Sequence, residues 1–143
     1  MAERMLIQLF GTTSGDAAGA FDVPEDGAIV GVDWDVRGYD LDTSGDTLDA
    51  QLSFLATSQF SVNDARGIIS SVGISANNSE GTATNPIPVT AQKYVNMDDP
   101  PLMVAGGERI YLHLNLSTGV TASVRCIVHL SARTATRRAR RRR

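Results

Sequence analysis

Apolar and polar residues alternate along most of this chain with a period of two. Val30, Val32, Trp34 and Val36 are interleaved with Gly31, Asp33, Asp35 and Arg37. Leu48, Ala50, Leu52 and Phe54 alternate with Asp49, Gln51 and Ser53, and Val72, Ile74 and Ala76 continue the rule. Ile110, Leu112, Leu114 and Leu116 alternate with Tyr111, His113 and Asn115. Ala122, Val124, Cys126, Val128 and Leu130 alternate with Ser123, Arg125, Ile127 and His129. Successive side chains of a strand point to opposite faces, so each run predicts a strand with one face on a core and one in water. Half-wetted strands belong to antiparallel sheets, because parallel strands are covered on both faces. No long helical stripe is present. A short turn over 61–66, capped by Ser61 or Asn63, is the best helical candidate.

Gly, Asp, Asn, Ser and Pro cluster between the runs, at 11–19, 24–27, 38–45, 77–88, 98–101 and 106–107. Ser117, Thr118 and Gly119 fit a three-residue hairpin loop. That hairpin sets Leu116 opposite Val120, Tyr111 opposite Arg125 and His113 opposite Ser123, all with apolar faces aligned. About seven or eight short strands joined by long polar loops predict an all-β fold, an antiparallel β-sandwich. A jelly-roll-like order is preferred, because several connections are too long for hairpins. An immunoglobulin-like Greek key fits the same pattern without the cysteine pair of antibody domains.

Charge divides the chain. Of 143 residues, 13 are Lys or Arg and 16 are Asp or Glu. Arg133, Arg137, Arg138, Arg140, Arg141, Arg142 and Arg143 put seven positive charges into the last eleven residues, with no acid among them. Residues 1–132 hold the other six basic residues and all sixteen acids, a net −10. The expected organisation is an acidic β-sandwich domain over 1–132 and an extended Arg-rich C-terminal tail over 133–143. Guanidinium forks hold phosphate or carboxylate bidentately, so the tail reads as a partner-binding segment. It fits nucleic-acid phosphates, an acidic groove on a partner or neighbouring subunit, or a solvated end. No aromatic is interleaved with the arginines, which removes base stacking.

Other chemistry is sparse. Asp40, Asp42, Ser44 and Asp46 carry oxygens at alternate positions with Gly45 at the turn, like the front of a calcium loop. Gln51 stands where that loop needs its bidentate Glu, so a turn between strands is the simpler reading. Asp33 and Asp35 share the wet face of one strand and read as a solvated or subunit-facing edge. His113 and His129 fall on wet phases and read as surface histidines. Cys126 is the one cysteine and reads as a buried reduced thiol. No phosphate loop, dinucleotide fingerprint, zinc spacing or nucleophile elbow is present, so no enzyme and no cofactor is expected. No signal-peptide core and no membrane-length apolar run appears. Two glycosylation sequons, at Asn77 and Asn115, matter only on a secretory route.

The stretch 5–130 is apolar-alternating, acidic, rich in Asp, Gly, Ser and Thr, and almost free of lysine. Residues 104–114, VAGGERIYLHL, run from strand through an Ala-Gly-Gly-Glu turn to strand. In these features the chain resembles small β-sandwich virion proteins of tailed bacteriophages, of the capsid decoration, cement or head-fibre type. The resemblance implies a structural protein of the virion, made in the host cytoplasm. It implies a homo-oligomer, with a trimer favoured, whose partners are the major capsid protein or other virion subunits. The polyarginine end is not a hallmark of that group. Basic arms of viral coat proteins that meet packaged nucleic acid give a second reading. A carbohydrate-binding sandwich is a third, with Tyr39, Tyr94 and Tyr111 as its wet-face aromatics.

Overall fold

The computed structural model describes residues 4–41, 45–60, 67–75, 89–98 and 100–132. The turn expected over 61–66 lies outside them. Nine strands are present among the described residues: β1 (Arg4–Gly11), β2 (Gly15–Asp22), β3 (Gly27–Tyr39), β4 (Thr47–Ser53), β5 (Ile68–Ser75), β6 (Val89–Asn96), β7 (Leu102–Val104), β8 (Arg109–Leu116) and β9 (Thr121–Ala132). One sheet has the order β1-β9-β3-β6, with β7 also on β3; the other has the order β2-β8-β4-β5. Every step along the described strands crosses from one sheet to the other except β4 to β5 and β6 to β7. This is the jelly-roll order preferred from the long connections, in the antiparallel sandwich that the alternation predicts.

The inward phases meet between the sheets. Val32, Val36, Val124, Cys126 and Val128 from the first sheet face Leu48, Ala50, Leu52, Ile110 and Leu112 from the second, all without solvent exposure. Trp34 also points inward, and its Nε1–H donates to Ser70 Oγ on β5 at 2.9 Å. That bond ties the two sheets and satisfies the one polar atom the indole brings into the core.

Three expectations change. β8 and β9 do not form a hairpin. A hairpin would set their apolar faces side by side; the fold sets them opposite each other across the core, which buries them equally well. The link is turned by its polar contacts: Ser117 N–H donates to the Thr47 carbonyl at 3.0 Å, and Ser117 Oγ accepts from Thr47 N–H at 2.8 Å. Tyr111 therefore does not meet Arg125; the Arg109 guanidinium lies 5.8 Å from its ring centroid instead. Second, β1, β2 and β6 are strands that none of the five alternating runs marked. Third, His113 is fully buried on the outer side of β8. Its Nδ1 accepts from Ala17 N–H at 2.9 Å, and its Nε2 bonds the Leu55 carbonyl at 2.8 Å. Residues of the irregular start of β2 and of the segment after β4 cover that face. Asp16 Oδ1 joins the same two segments by accepting from Ser58 N–H at 2.9 Å. Hydrogen bonds from Ser58 hold the Asp16 carboxyl below its ordinary range. Ala17 takes a φ of +56° to present its N–H to the imidazole, an uncommon value for a residue with a Cβ.

Candidate functional site on the outer face of the first sheet

With the apolar phase of the first sheet turned inward, the opposite phase forms one outer surface. The pairing register aligns it in rows across β1, β9, β3 and β6. One row is Phe10, Arg125, Asp35 and Gln92. The next is Gln8, Ile127, Asp33 and Tyr94. The third is Leu6, His129, Gly31 and Asn96. A bulge at Val30 shifts the β3–β9 register by one residue, and the Val30 carbonyl accepts from Met97 N–H at 3.0 Å. Without that shift the residues of β3 before and after Val30 would not both keep their phase.

Two features give this surface shape. His129 Nε2 lies 2.9 Å from Asp33 Oδ2, and the Tyr94 ring meets the His129 ring in an edge contact at 5.6 Å and 74°. Tyr94 also lies across Gly31: a Cβ there would fall 2.3 Å from the Tyr94 hydroxyl oxygen. Glycine is what lets the ring settle on the sheet, an aromatic covering a strand glycine. Beside it is a depression of about 350 Å³ bordered by Asp33, Asp35, Gln92, Lys93, Tyr94 and Arg125. A second depression of about 120 Å³ continues along the strands and is lined by Asp35, Arg37, Tyr39, Ser123 and Arg125. Among the described residues, Asp35 Oδ1 and His129 Nδ1 are buried atoms without a hydrogen-bond partner. Arg37 Nε is 3.8 Å from that Asp35 oxygen, an ion-pair distance but too long for a hydrogen bond.

Asp33 and Asp35 thus share the wet face as expected, but neither is simply solvated. The fold brings His129 onto Asp33 from 96 positions away. Only the long-range β3–β9 register makes this pair, and no local motif announces it. His129 is not an open surface histidine either, its side chain being 13% exposed. Cys126, on the inner phase beneath, has its thiol pKa pushed up to about 12, first by burial and then by the Asp33 charge.

The seven tail arginines, Arg133, Arg137, Arg138, Arg140, Arg141, Arg142 and Arg143, lie outside the described residues. β9 ends at Ala132 beside a cleft of about 170 Å³ whose walls include Arg4, Met5, Pro24, Glu25 and Leu130. Of the calcium candidates, Asp42 and Ser44 also lie outside the described residues. Asp40, just after β3, has a φ of +62°, and Gly45, shortly before β4, has a φ of +91°. Among the described residues no group of three or more His, Cys, Asp or Glu side chains is placed to hold a metal. No helix among them is long and apolar enough to cross a membrane.

No family model matches the sequence, and no curated protein matches it. Among solved structures, the chain is similar to one in the capsid asymmetric unit of cyanophage Pam1, with 19% identity and a TM-score of 0.42, over 91% of this chain and 85% of that one. It is also similar to a chain of the VP2 subviral particle of infectious bursal disease virus, with 11% identity and a TM-score of 0.42. That match covers 91% of this chain but spans only 33% of the viral one.

Proposed function

We propose that this chain is a non-enzymatic structural protein of a virus particle, of the capsid decoration or cement kind. Its sandwich packs on the major capsid protein or other neighbouring subunits, and its arginine tail straps it to acidic partner surface. The observation that carries this reading is the partition of charge, a body of net −10 followed by a tail of +7. A body of that sign is held away from phosphate, whereas the tail is drawn to any carboxylate-rich neighbour, its own kind included. Eleven residues reach at most roughly 40 Å when extended, enough to cross onto an adjoining subunit. Complementary charge of this sort steers docking and sets register more than it supplies affinity. Weak attachment repeated over a lattice holds by avidity. Half-exposed Leu6 and Phe10 on β1 supply apolar contact area beside the charged rows. The resemblance of residues 5–130 to phage head-decoration proteins supports the same role, with a trimer as the expected assembly.

The test is a chain lacking residues 133–143, assayed for binding to empty shells of the particle. Loss of binding with an unchanged fold is expected, and undiminished binding would sink the strap. The competing reading places the tail on packaged nucleic acid. Seven phosphate contacts would give a log–log salt slope near roughly −6 on duplex DNA. The full-length chain is expected to show no such affinity at low salt.

A further inference from the structure

We propose that the outer face of the first sheet, between Tyr94 and Tyr39, is a binding site for a neutral linear oligosaccharide. The proposal is independent of the arginine tail and of what the tail grips.

A sugar ring is amphipathic. One face shows C–H bonds, and the rim shows hydroxyls that donate and accept. Its recognition needs a flat apolar surface with planar polar side chains at the border. Tyr94 provides the flat surface. One side of its ring rests over Gly31, its edge is fixed against His129, and the residue remains 48% exposed. The platform is held before any ligand arrives, so little ordering entropy is lost on binding. Along its border stand Asp33, Asp35, Gln92 and Arg125, which together offer carboxylate acceptors, an amide that does both, and guanidinium donors. Asp35 lines both depressions, and its Oδ1 has no hydrogen-bond partner among the described residues; a sugar hydroxyl is a donor that could serve it.

The dimensions favour a chain of sugars over a single one. The two depressions share Asp35 and Arg125 and so form one trough. From Asp33, opposite Tyr94, to Tyr39 the strand advances six residues, roughly 20 Å. An aromatic therefore marks each end, with polar side chains between. The charge balance favours a neutral ligand: Asp33 and Asp35 are offset by Arg37 and Arg125, and the Lys93 ammonium is turned to β5, where it donates to the Ser71 carbonyl at 3.2 Å.

The experiment uses the full chain and three neutral hexasaccharides, maltohexaose, cellohexaose and chitohexaose, with alginate oligomers as an anionic comparison. Saturation-transfer NMR reads contact, and titration reads affinity. At least one neutral hexasaccharide is expected to receive saturation, with a dissociation constant of roughly millimolar or tighter. Tyr94→Phe should keep binding, Tyr94→Ala should abolish the transfer, and Asp35→Asn should weaken binding by about tenfold, since a hydrogen bond to a charged acceptor is lost. Asp35→Asn keeps the side-chain shape, so its effect is separable from misfolding. The chain lacking 133–143 should bind as the parent does. Absence of transfer to all three neutral sugars, binding by alginate alone, or binding that survives Tyr94→Ala each overturns the proposal.

Discussion

Replacing His113 with leucine isolates the polar clamp on the outer side of β8. The variant keeps an apolar body in a fully buried hole but removes both ring nitrogens. One accepts from Ala17 N–H at 2.9 Å and the other bonds the Leu55 carbonyl at 2.8 Å. A typical intramolecular hydrogen bond contributes about 1 kcal/mol net, and an orphaned buried partner costs about 1–3 kcal/mol. Ala17 and Leu55 lie in exposed segments, so water can replace part of what is lost. The expected cost is therefore about 2 kcal/mol. For a urea dependence of about 2 kcal/mol per molar, the midpoint falls by about 1 M. The loss should also be local. β2 stays attached through the pairing of Gly19–Asp22 with β8, while the irregular stretch before it loses its anchor. Released from the imidazole, Ala17 has no reason to hold a φ of +56°. Hydrogen exchange at the Ala17 amide should then approach that of a solvated loop, while the amides of β8 stay protected. A midpoint within about 0.2 M of the parent, with the Ala17 amide still slow, would refute the reasoning.

Two further outcomes follow from burial. Cys126, with a thiol pKa of about 12, has almost no thiolate at pH 8, so native protein should resist iodoacetamide and label fully only when unfolded. Rapid native labelling would show that the core opens. Burial raises the Asp49 pKa in the fold, so the charged form is disfavoured there and stability from this group grows as pH falls through the folded pKa toward the unfolded one. Asp49→Asn should therefore stabilise the protein at neutral pH in urea melts, with the gain gone below both pKa values; an equal gain at low pH would point to another cause.

Much of the fold is legible in the sequence because a period of two assigns a face. It places Trp34, Leu48, Leu52, Leu112, Val124 and Val128 inside correctly, and the structure has each of them buried. The same period is silent about partners. In a sandwich, an inward side chain is satisfied by either sheet, so the four-residue link after Leu116 reads as a hairpin although it crosses the core. β2, with the sequence GDAAGAFD, is hidden because small residues blur the alternation. His113 follows the wet phase, and nothing in its neighbours says that residues near 17 and 55 will cover it. At the outer face, Asp33 and Tyr94 could be placed on wet phases, or listed among the wet aromatics, but their meeting with His129 and Gly31 depends on register between distant strands. The arginine tail is legible as charge alone.

The order of strands along the chain also sets the order in which the molecule can be made. Among the described strands, β4 and β5 are the one hydrogen-bonded pair that follow each other in sequence. β9 lies between β1 and β3, so the first sheet has no centre until the last described strand exists. Until then β1, with Met5, Leu6 and Phe10, and β3, with its run of valines, wait without their common neighbour. A topology dominated by distant pairings folds slowly and leaves strand edges open to other chains meanwhile. During synthesis the apolar edges of β1 and β3 should therefore stay open to other chains until β9 emerges to cover them both.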